Sequence, residues 1–308
     1  MKRKHSIISA IVALTAFLYS PTPGFAIILG TSENFAVLGS STVSNTGSST
    51  VNGDLGLSPG PSVVGFAIPP ANTVVEGPGS TGLINGPGLV SGTIHIADGV
   101  ALQARNDATA AWTGLQNMPS TGNLTGVDLG TFLTPLTSGV YHFDSSAQLT
   151  GALTLDAEGL DNAFWVFQTG ETLTTASASS VALINPGLNN GVFWQIGSSA
   201  TLGTTTSFLG NILASESVTL TTEADIVCGR AFALNGAVTL DTNDISAICD
   251  ESISRGLGGG LEFNENGEVV PASGNSNVIP EPATMLLLGS GIVAMRFARN
   301  RKNRLARD

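Results

Sequence analysis

Positive charge is what this sequence has least of. Between Lys4 and Arg296 the permanent cations are Arg105, Arg230 and Arg255, and all other Arg and Lys residues crowd the two ends. A body so poor in cations cannot neutralise a run of phosphates, which excludes nucleic acid as a partner and disfavours anionic lipid headgroups. Charged residues of both signs make up only 11% of the 308 residues, with a formal net charge of −11, while Gly fills 38 positions and Ser and Thr fill the gaps between short apolar runs. That composition is unlike a helical or a disordered acidic protein and favours an all-β class. Reactive constellations are missing too. Neither His95 nor His142 has a Ser or Cys nucleophile motif beside it, no acidic loop has EF-hand spacing, and no phosphate-cradling Gly loop follows a strand. The sequence therefore calls for no enzyme activity, no cofactor and no metal.

What is present begins with targeting. Lys2, Arg3 and Lys4 precede the apolar run Ile7–Tyr19 and the segment Pro21-Thr-Pro-Gly-Phe-Ala26. The run is short for a bilayer span of about 17–25 residues, so 1–26 reads as a secretory signal peptide with Ala26 at the cleavage position. At the other end Pro280, Glu281 and Pro282 are followed by a short apolar stretch and a basic tail from Arg296 to Arg307. The basic cluster holds the tail in the cytoplasm and leaves the bulk of the protein outside. This order resembles the PEP-CTERM sorting signal. The resemblance implies processing by an exosortase, a transient membrane anchor over 278–308, and a host that makes exopolysaccharide. Cys228 and Cys249 then lie in an oxidising compartment, where a disulfide is the expected state and two buried thiols the alternative.

Internal repeats organise the region between these ends. Ser199-Ala-Thr-Leu-Gly, Ser217-Val-Thr-Leu-Thr and Ala237-Val-Thr-Leu-Asp align, and two further sets of short apolar runs recur in step with them. Three short strands returning every roughly 20 residues are what a three-sided parallel β-solenoid requires. The expected domain is 27–254. Within it the Pro- and Gly-rich segment 61–91 reads as a capping loop, and apolar residues at helical spacing predict a helix over 97–118 with Asp98 as N-cap. Its alanine-rich face suits close packing on strands such as Val192–Ile196, which are apolar at both parities. The stretch 255–277, rich in Gly, Asn and Glu, reads as a linker.

Residues from Leu29 to about Ser246 closely resemble the type 1 ice-binding protein family. The resemblance rests on Phe35-Ala-Val-Leu, Gly139-Val-Tyr-His-Phe-Asp-Ser-Ser-Ala-Gln-Leu-Thr-Gly, Val192-Phe-Trp-Gln-Ile-Gly-Ser-Ser-Ala-Thr-Leu-Gly and Gly229-Arg-Ala-Phe-Ala-Leu-Asn-Gly-Ala-Val-Thr-Leu-Asp, among others. It implies a discontinuous right-handed parallel β-solenoid of triangular cross-section with one long α-helix packed alongside, and a secreted, non-catalytic protein that adsorbs to ice or ordered water through one flat side. Because alternate residues of a strand face the same way, outward threonines should stack into columns. One column is expected to hold Thr154, Thr172, Thr201, Thr219 and Thr239. A second holds Thr174 and Thr221 together with Asp156, Gly203 and Asp241, which interrupt the hydroxyl array. Two other readings compete. Threonine ladders stabilise sheets without any ligand, and the sorting signal also fits a structural or adhesive protein of an extracellular polysaccharide matrix.

Overall fold

The computed structural model describes residues 26–249 and 254–273. The expected leader 1–26 lies outside these residues except for Ala26, which the structure places in a strand opposite Phe263, and the sorting segment with Pro280, Glu281 and Pro282 lies outside them. The body is the expected parallel solenoid, each coil laying one strand on each of three sides. The helix side includes Gly139–Phe143, Phe164–Thr169, Gly191–Ile196, Phe35–Gly39, Asp54–Leu57 and Thr93–Ile96. A second side stacks Ala147–Leu149, Leu173–Thr175, Ala200–Leu202, Val218–Leu220, Val238–Asp241, Thr42–Thr46, Ser62–Phe66 and Thr81–Asn85 in that order. The third carries Ala152–Asp156, Ser180–Ile184, Asp244–Ser246, Thr50–Asn52 and Leu89–Val90. Ser207–Ala214 and Asp225–Ala233 run unbroken from the third side to the helix side.

These residues form these strands because Leu and Val alternate with small polar residues, so the second-side strands from Ala147–Leu149 to Thr42–Thr46 each bury one parity. Ala147, Leu173, Ala200, Val218, Val238, Val43 and Val63 make one buried inward column. The order of the stack is discontinuous. The strand Val238–Asp241 near the C-terminus pairs with Thr42–Thr46 near the N-terminus, Val238 opposite Val43 and Thr239 opposite Ser44. The first coils of the chain are thus the last coils of the stack.

Helix α1 spans Gly99–Gln116, and the Asp98 side chain accepts from the Ala101 N–H at 2.8 Å, which caps it. Ala104, Ala108, Ala111 and Leu115 are buried against Phe35, Leu38, Val166, Phe193 and Phe232. Small side chains bring the helix axis close to the sheet. The Gln168 amide donates to the Leu115 and Met118 carbonyls at 2.7 and 2.9 Å, satisfying the C-terminal turn.

Two expectations are corrected. The segment 61–91 is strand-bearing: Ser62–Phe66, Thr73–Glu76, Thr81–Asn85 and Leu89–Val90 continue the stacks to their end. Thr73–Glu76 is mostly exposed, with only Val74 packed against the core, so it needs no apolar alternation and the sequence shows none. The stretch 255–277 is not a free linker over its described part. Leu261–Phe263 pairs antiparallel with both Ala26–Ile27 and Val269–Pro271, and Gly256 to Glu262 are buried. Gly259 shows why glycine is there, since a Cβ would sit 2.4 Å from the Asn189 side-chain oxygen and 2.5 Å from its carbonyl. Glycine serves close backbone approach here, not flexibility.

Arg230 ties these parts together. The side chain is 1% exposed and donates to the Glu33 carbonyl at 2.6 and 3.1 Å, to Asn211 Oδ1 at 2.7 Å and to the Gly256 carbonyl at 2.9 Å. Burial pushes its pKa down from the ordinary guanidinium range to about 10, opposed by the nearby Glu33 charge, so it stays cationic at neutral pH. Cys228 and Cys249 are bonded, with Cα atoms 5.5 Å apart and a sequence separation of 21. Replacing both by Ser should cost about 3 kcal/mol in the chain-entropy account, read as a lowered thermal midpoint. Ala108→Leu should overpack the helix–sheet contact and cost about 1–3 kcal/mol. A midpoint equal to wild type would show that this contact has room to spare.

Candidate functional site

On the second side the register decides which hydroxyls stand together. The central outward column is Gln148, Thr174, Thr201, Thr219, Thr239 and Ser44, continued by Val64. Rungs of a parallel sheet lie about 4.8 Å apart, and alternate residues within a rung about 6.6 Å apart. One flanking column follows from the same register: Ser146, Thr172, Ser199, Ser217, Ala237 and Thr42. The other is Thr150, Ala176, Gly203, Thr221, Asp241 and Thr46.

The two expected columns are therefore partly regrouped. Thr201, Thr219 and Thr239 share a column as expected, but Thr174 joins them and Thr172 falls in the flanking column, because Leu173 is the residue opposite Ala200. Thr154 is not on this side at all. It lies on the third side opposite Ala182, and Asp156 follows it there opposite Ile184. Asp156 and Asp241, expected to share a column, sit on different sides. Sequence reasoning missed Gln148 and Ser44. The signal for Ser44 was the alternation Thr42, Ser44, Thr46 around buried Val43 and Asn45.

The columns differ chemically. In the Ser-rich flank, hydroxyls are turned to the next rung: the Thr172 hydroxyl donates to Ser146 Oγ at 2.8 Å, and Ser217 Oγ accepts from the Ala237 N–H at 3.2 Å. In the other flank the Thr221 hydroxyl donates to the Leu202 carbonyl at 2.7 Å, and Asp241 accepts from the Thr222 hydroxyl at 2.5 Å. In the central column Thr174, Thr201, Thr219 and Thr239 have no hydrogen-bond partner for their hydroxyls among the described residues, and all four reach solvent. No charged residue stands in that column.

The third side presents a different surface. Its outward column Ser180, Ser207, Asp225 and Asp244 becomes acidic along the stack. Burial raises the Asp225 pKa, the Asp244 N–H donating to its carboxylate at 2.7 Å works against that, and the Asp244 and Glu223 charges raise it further. Elsewhere the titratable groups are held in local structure: His95 Nδ1 meets Asp98 Oδ2 at 2.7 Å beside the helix cap, and His142 Nε2 meets Asp144 Oδ1 at 3.1 Å. Among the described residues no group of three or more His, Cys, Asp and Glu side chains converges.

Comparison with known proteins agrees with this fold. The profile described as "Ice-binding-like" matches residues 37–246, and that of the PEP-CTERM protein-sorting motif matches 278–302. An ice-binding protein of Nostoc sp. (strain HG1) is 46% identical over 299 residues, spanning 97% of this chain and 96% of that one. The crystal structure of an ice binding protein from an Antarctic biological consortium superposes with a TM-score of 0.62 at 39% identity, over 72% of this chain and 90% of the other. The ice-binding protein of the Antarctic ascomycete Antarctomyces psychrotrophicus gives 0.60 at 34% identity, over 73% and 100%. With a profile covering most of the solenoid and relatives this similar, the chain belongs to the ice-binding-like family and ends in a PEP-CTERM sorting motif.

Proposed function

We propose that the protein adsorbs to ice, or to water ordered like it, through its threonine-bearing second side, as a non-catalytic member of the type 1 group exported to the cell surface or beyond. The observation that carries this reading is the central column, where the hydroxyls of Thr174, Thr201, Thr219 and Thr239 are stacked in register and have no protein partner among the described residues. A hydroxyl already bonded to the protein has little left to offer a ligand. A free one exchanges with water. Threonine adds a methyl group beside each hydroxyl and a stiff χ1, so little side-chain entropy is lost when water on the surface becomes ordered. The parallel ladder then fixes the water positions at the rung repeat. Thr172 and Thr221 border the column with hydroxyls already engaged and contribute mainly methyl surface. The acidic third side, with Thr154 at its far end, is the poorer candidate because carboxylates bind water strongly about themselves.

Export fits the sorting motif, which implies exosortase processing of the C-terminal segment, and separately fits the leader-like N-terminal segment with cleavage at Ala26. An exopolysaccharide partner rests on that motif alone.

Thermal hysteresis and ice-crystal shaping test the site. Thr219→Tyr should abolish most activity by raising a ring above the column, with the core residues Val218 and Leu220 untouched; Thr154→Tyr should leave activity near wild type. The opposite pattern moves the site to the third side. A wild-type protein that neither shapes ice nor inhibits recrystallisation returns the chain to the matrix reading. The hydroxyl assignments have a separate check. Thr221→Val loses its bond to Leu202 and should destabilise by about 1 kcal/mol, whereas Thr239→Val should stay within about 0.5 kcal/mol in thermal or urea unfolding.

A further inference from the structure

The two flanks of the threonine side differ in the direction of their hydrogen bonds. A hydroxyl has one proton and two lone pairs, so one that accepts from the protein keeps its proton, whereas one that donates to the protein has used it.

At the corner with the helix side the serines accept. Ser199 Oγ takes the Ser217 N–H at 3.3 Å and Ser217 Oγ takes the Ala237 N–H at 3.2 Å, so each oxygen is held by the backbone of the following rung. Neither hydroxyl donates to a protein acceptor among the described residues, and both residues are half-buried. Gly236 leaves the space beside them open, since a Cβ there would collide with Ser217 Oγ. Earlier rungs differ: the Thr172 hydroxyl donates to Ser146 Oγ, and Ser146 donates its own proton to Glu171 Oε2 at 3.2 Å. Ala237 interrupts the file. Thr42, whose hydroxyl has no partner among the described residues, resumes it one rung on.

At the corner with the third side the flank holds no such file. From Thr150 to Asp241 its protons are used or absent. Thr150 donates to Asp128, Thr221 donates to the Leu202 carbonyl at 2.7 Å, and the Asp241 carboxylate accepts from the Thr222 and Thr242 hydroxyls at 2.5 and 3.2 Å. Ala176 and Gly203 carry no hydroxyl. The gap at Gly203 is imposed by the backbone, because a Cβ there would lie 2.7 Å from the Thr175 carbonyl oxygen.

We propose that Ser199 and Ser217 are binding residues of the same site, a row of fixed donors beside the free hydroxyls of Thr201 and Thr219. Resting on the ice-binding reading of the second side, this row widens the surface toward the helix-side corner, where the exposed Glu171 and Glu216 limit it, and the surface stops short of the column of Gly203 and Asp241. The spacing suits a shared water. Ser199 and Thr201, like Ser217 and Thr219, are alternate residues of one rung about 6.6 Å apart, and a water bonded to both members of a pair spans about 5.5 Å. The serine oxygen is oriented before the water arrives, so part of the ordering that binding requires is already in place.

The test measures thermal hysteresis of the disulfide-bonded protein at equal concentrations, with circular dichroism and the thermal midpoint checking each fold. The Ser199→Ala, Ser217→Ala double variant should lose hysteresis several-fold. Ser217→Thr keeps the hydroxyl in a column that already holds Thr42 and Thr172, and should retain it. Ala237→Ser fills the gap in the file and should raise it, a gain that a merely structural row of serines would not produce. Asp241→Asn should stay near wild type. Undiminished hysteresis in the double variant, or a several-fold gain from Asp241→Asn, overturns the proposal, and the ice reading is then still decided separately by Thr219→Tyr. A wild type without hysteresis fails the ice reading first, and the serine row with it.

Discussion

The parallel pairing of Val238–Asp241 with Thr42–Thr46 joins segments almost two hundred residues apart in sequence, and the rest of the structure is arranged around it. Loop-closure entropy grows only logarithmically with length, so closing so long a loop costs about 0.6 kcal/mol more per doubling of its length. The junction is well bonded. Asn243 takes the Ser49 hydroxyl as acceptor for its N–H at 2.9 Å, and its amide donates to the Thr221 and Ala224 carbonyls at 2.8 Å. Arg230 gathers Glu33, Asn211 and Gly256 from the early coil, the late coils and the buried segment before Leu261–Phe263. A buried guanidinium left with fewer partners would be strongly destabilising, so each of the three segments depends on the others being in place.

That junction also determines the binding surface. Without it the central column would end at Thr239; with it the column continues to Ser44 and Val64. Regularity follows from the buried Leu and Val columns, which admit one register, because a slip by one residue would turn every inward side chain outward. The distinction between one column of unpartnered hydroxyls and two flanks of engaged ones is a consequence of position within the rung. Flanking residues lie at the corners, where the backbone turns and offers carbonyls and N–H groups to nearby side chains; central residues lie where backbone groups are already paired in the ladder.

Periodicity made much of this legible. The repeat of about 20 residues revealed the solenoid, the alanine spacing revealed the helix, and the column of Thr201, Thr219 and Thr239 followed from aligning three repeats. Periodicity also explains the misplacements. Ala152-Leu-Thr-Leu-Asp alternates like a rung of the threonine side because strands of the second and third sides alike bury one parity, so alternation cannot say which of those two sides a strand occupies. Thr172-Leu-Thr-Thr offers threonine on both flanks of Leu173, and only the pairing of Leu173 with Ala200 selects Thr174. The Gly-rich stretch after Arg255 has the composition of a flexible linker, yet its glycines are needed where backbone presses on backbone, a requirement invisible without the partner strand. The order of the coils was legible only through resemblance, since no local signal says that the first coil stacks on the last.

The central claim is that the free hydroxyls of the threonine side order water at the rung repeat, and a high-resolution crystal structure of the mature protein tests it most directly. The account predicts a file of well-ordered waters bridging Thr174, Thr201, Thr219 and Thr239, one per rung at about 4.8 Å, with their hydroxyls donating to no protein acceptor. Hydroxyls turned onto protein carbonyls, or ordered water confined to the acidic third side, would contradict it.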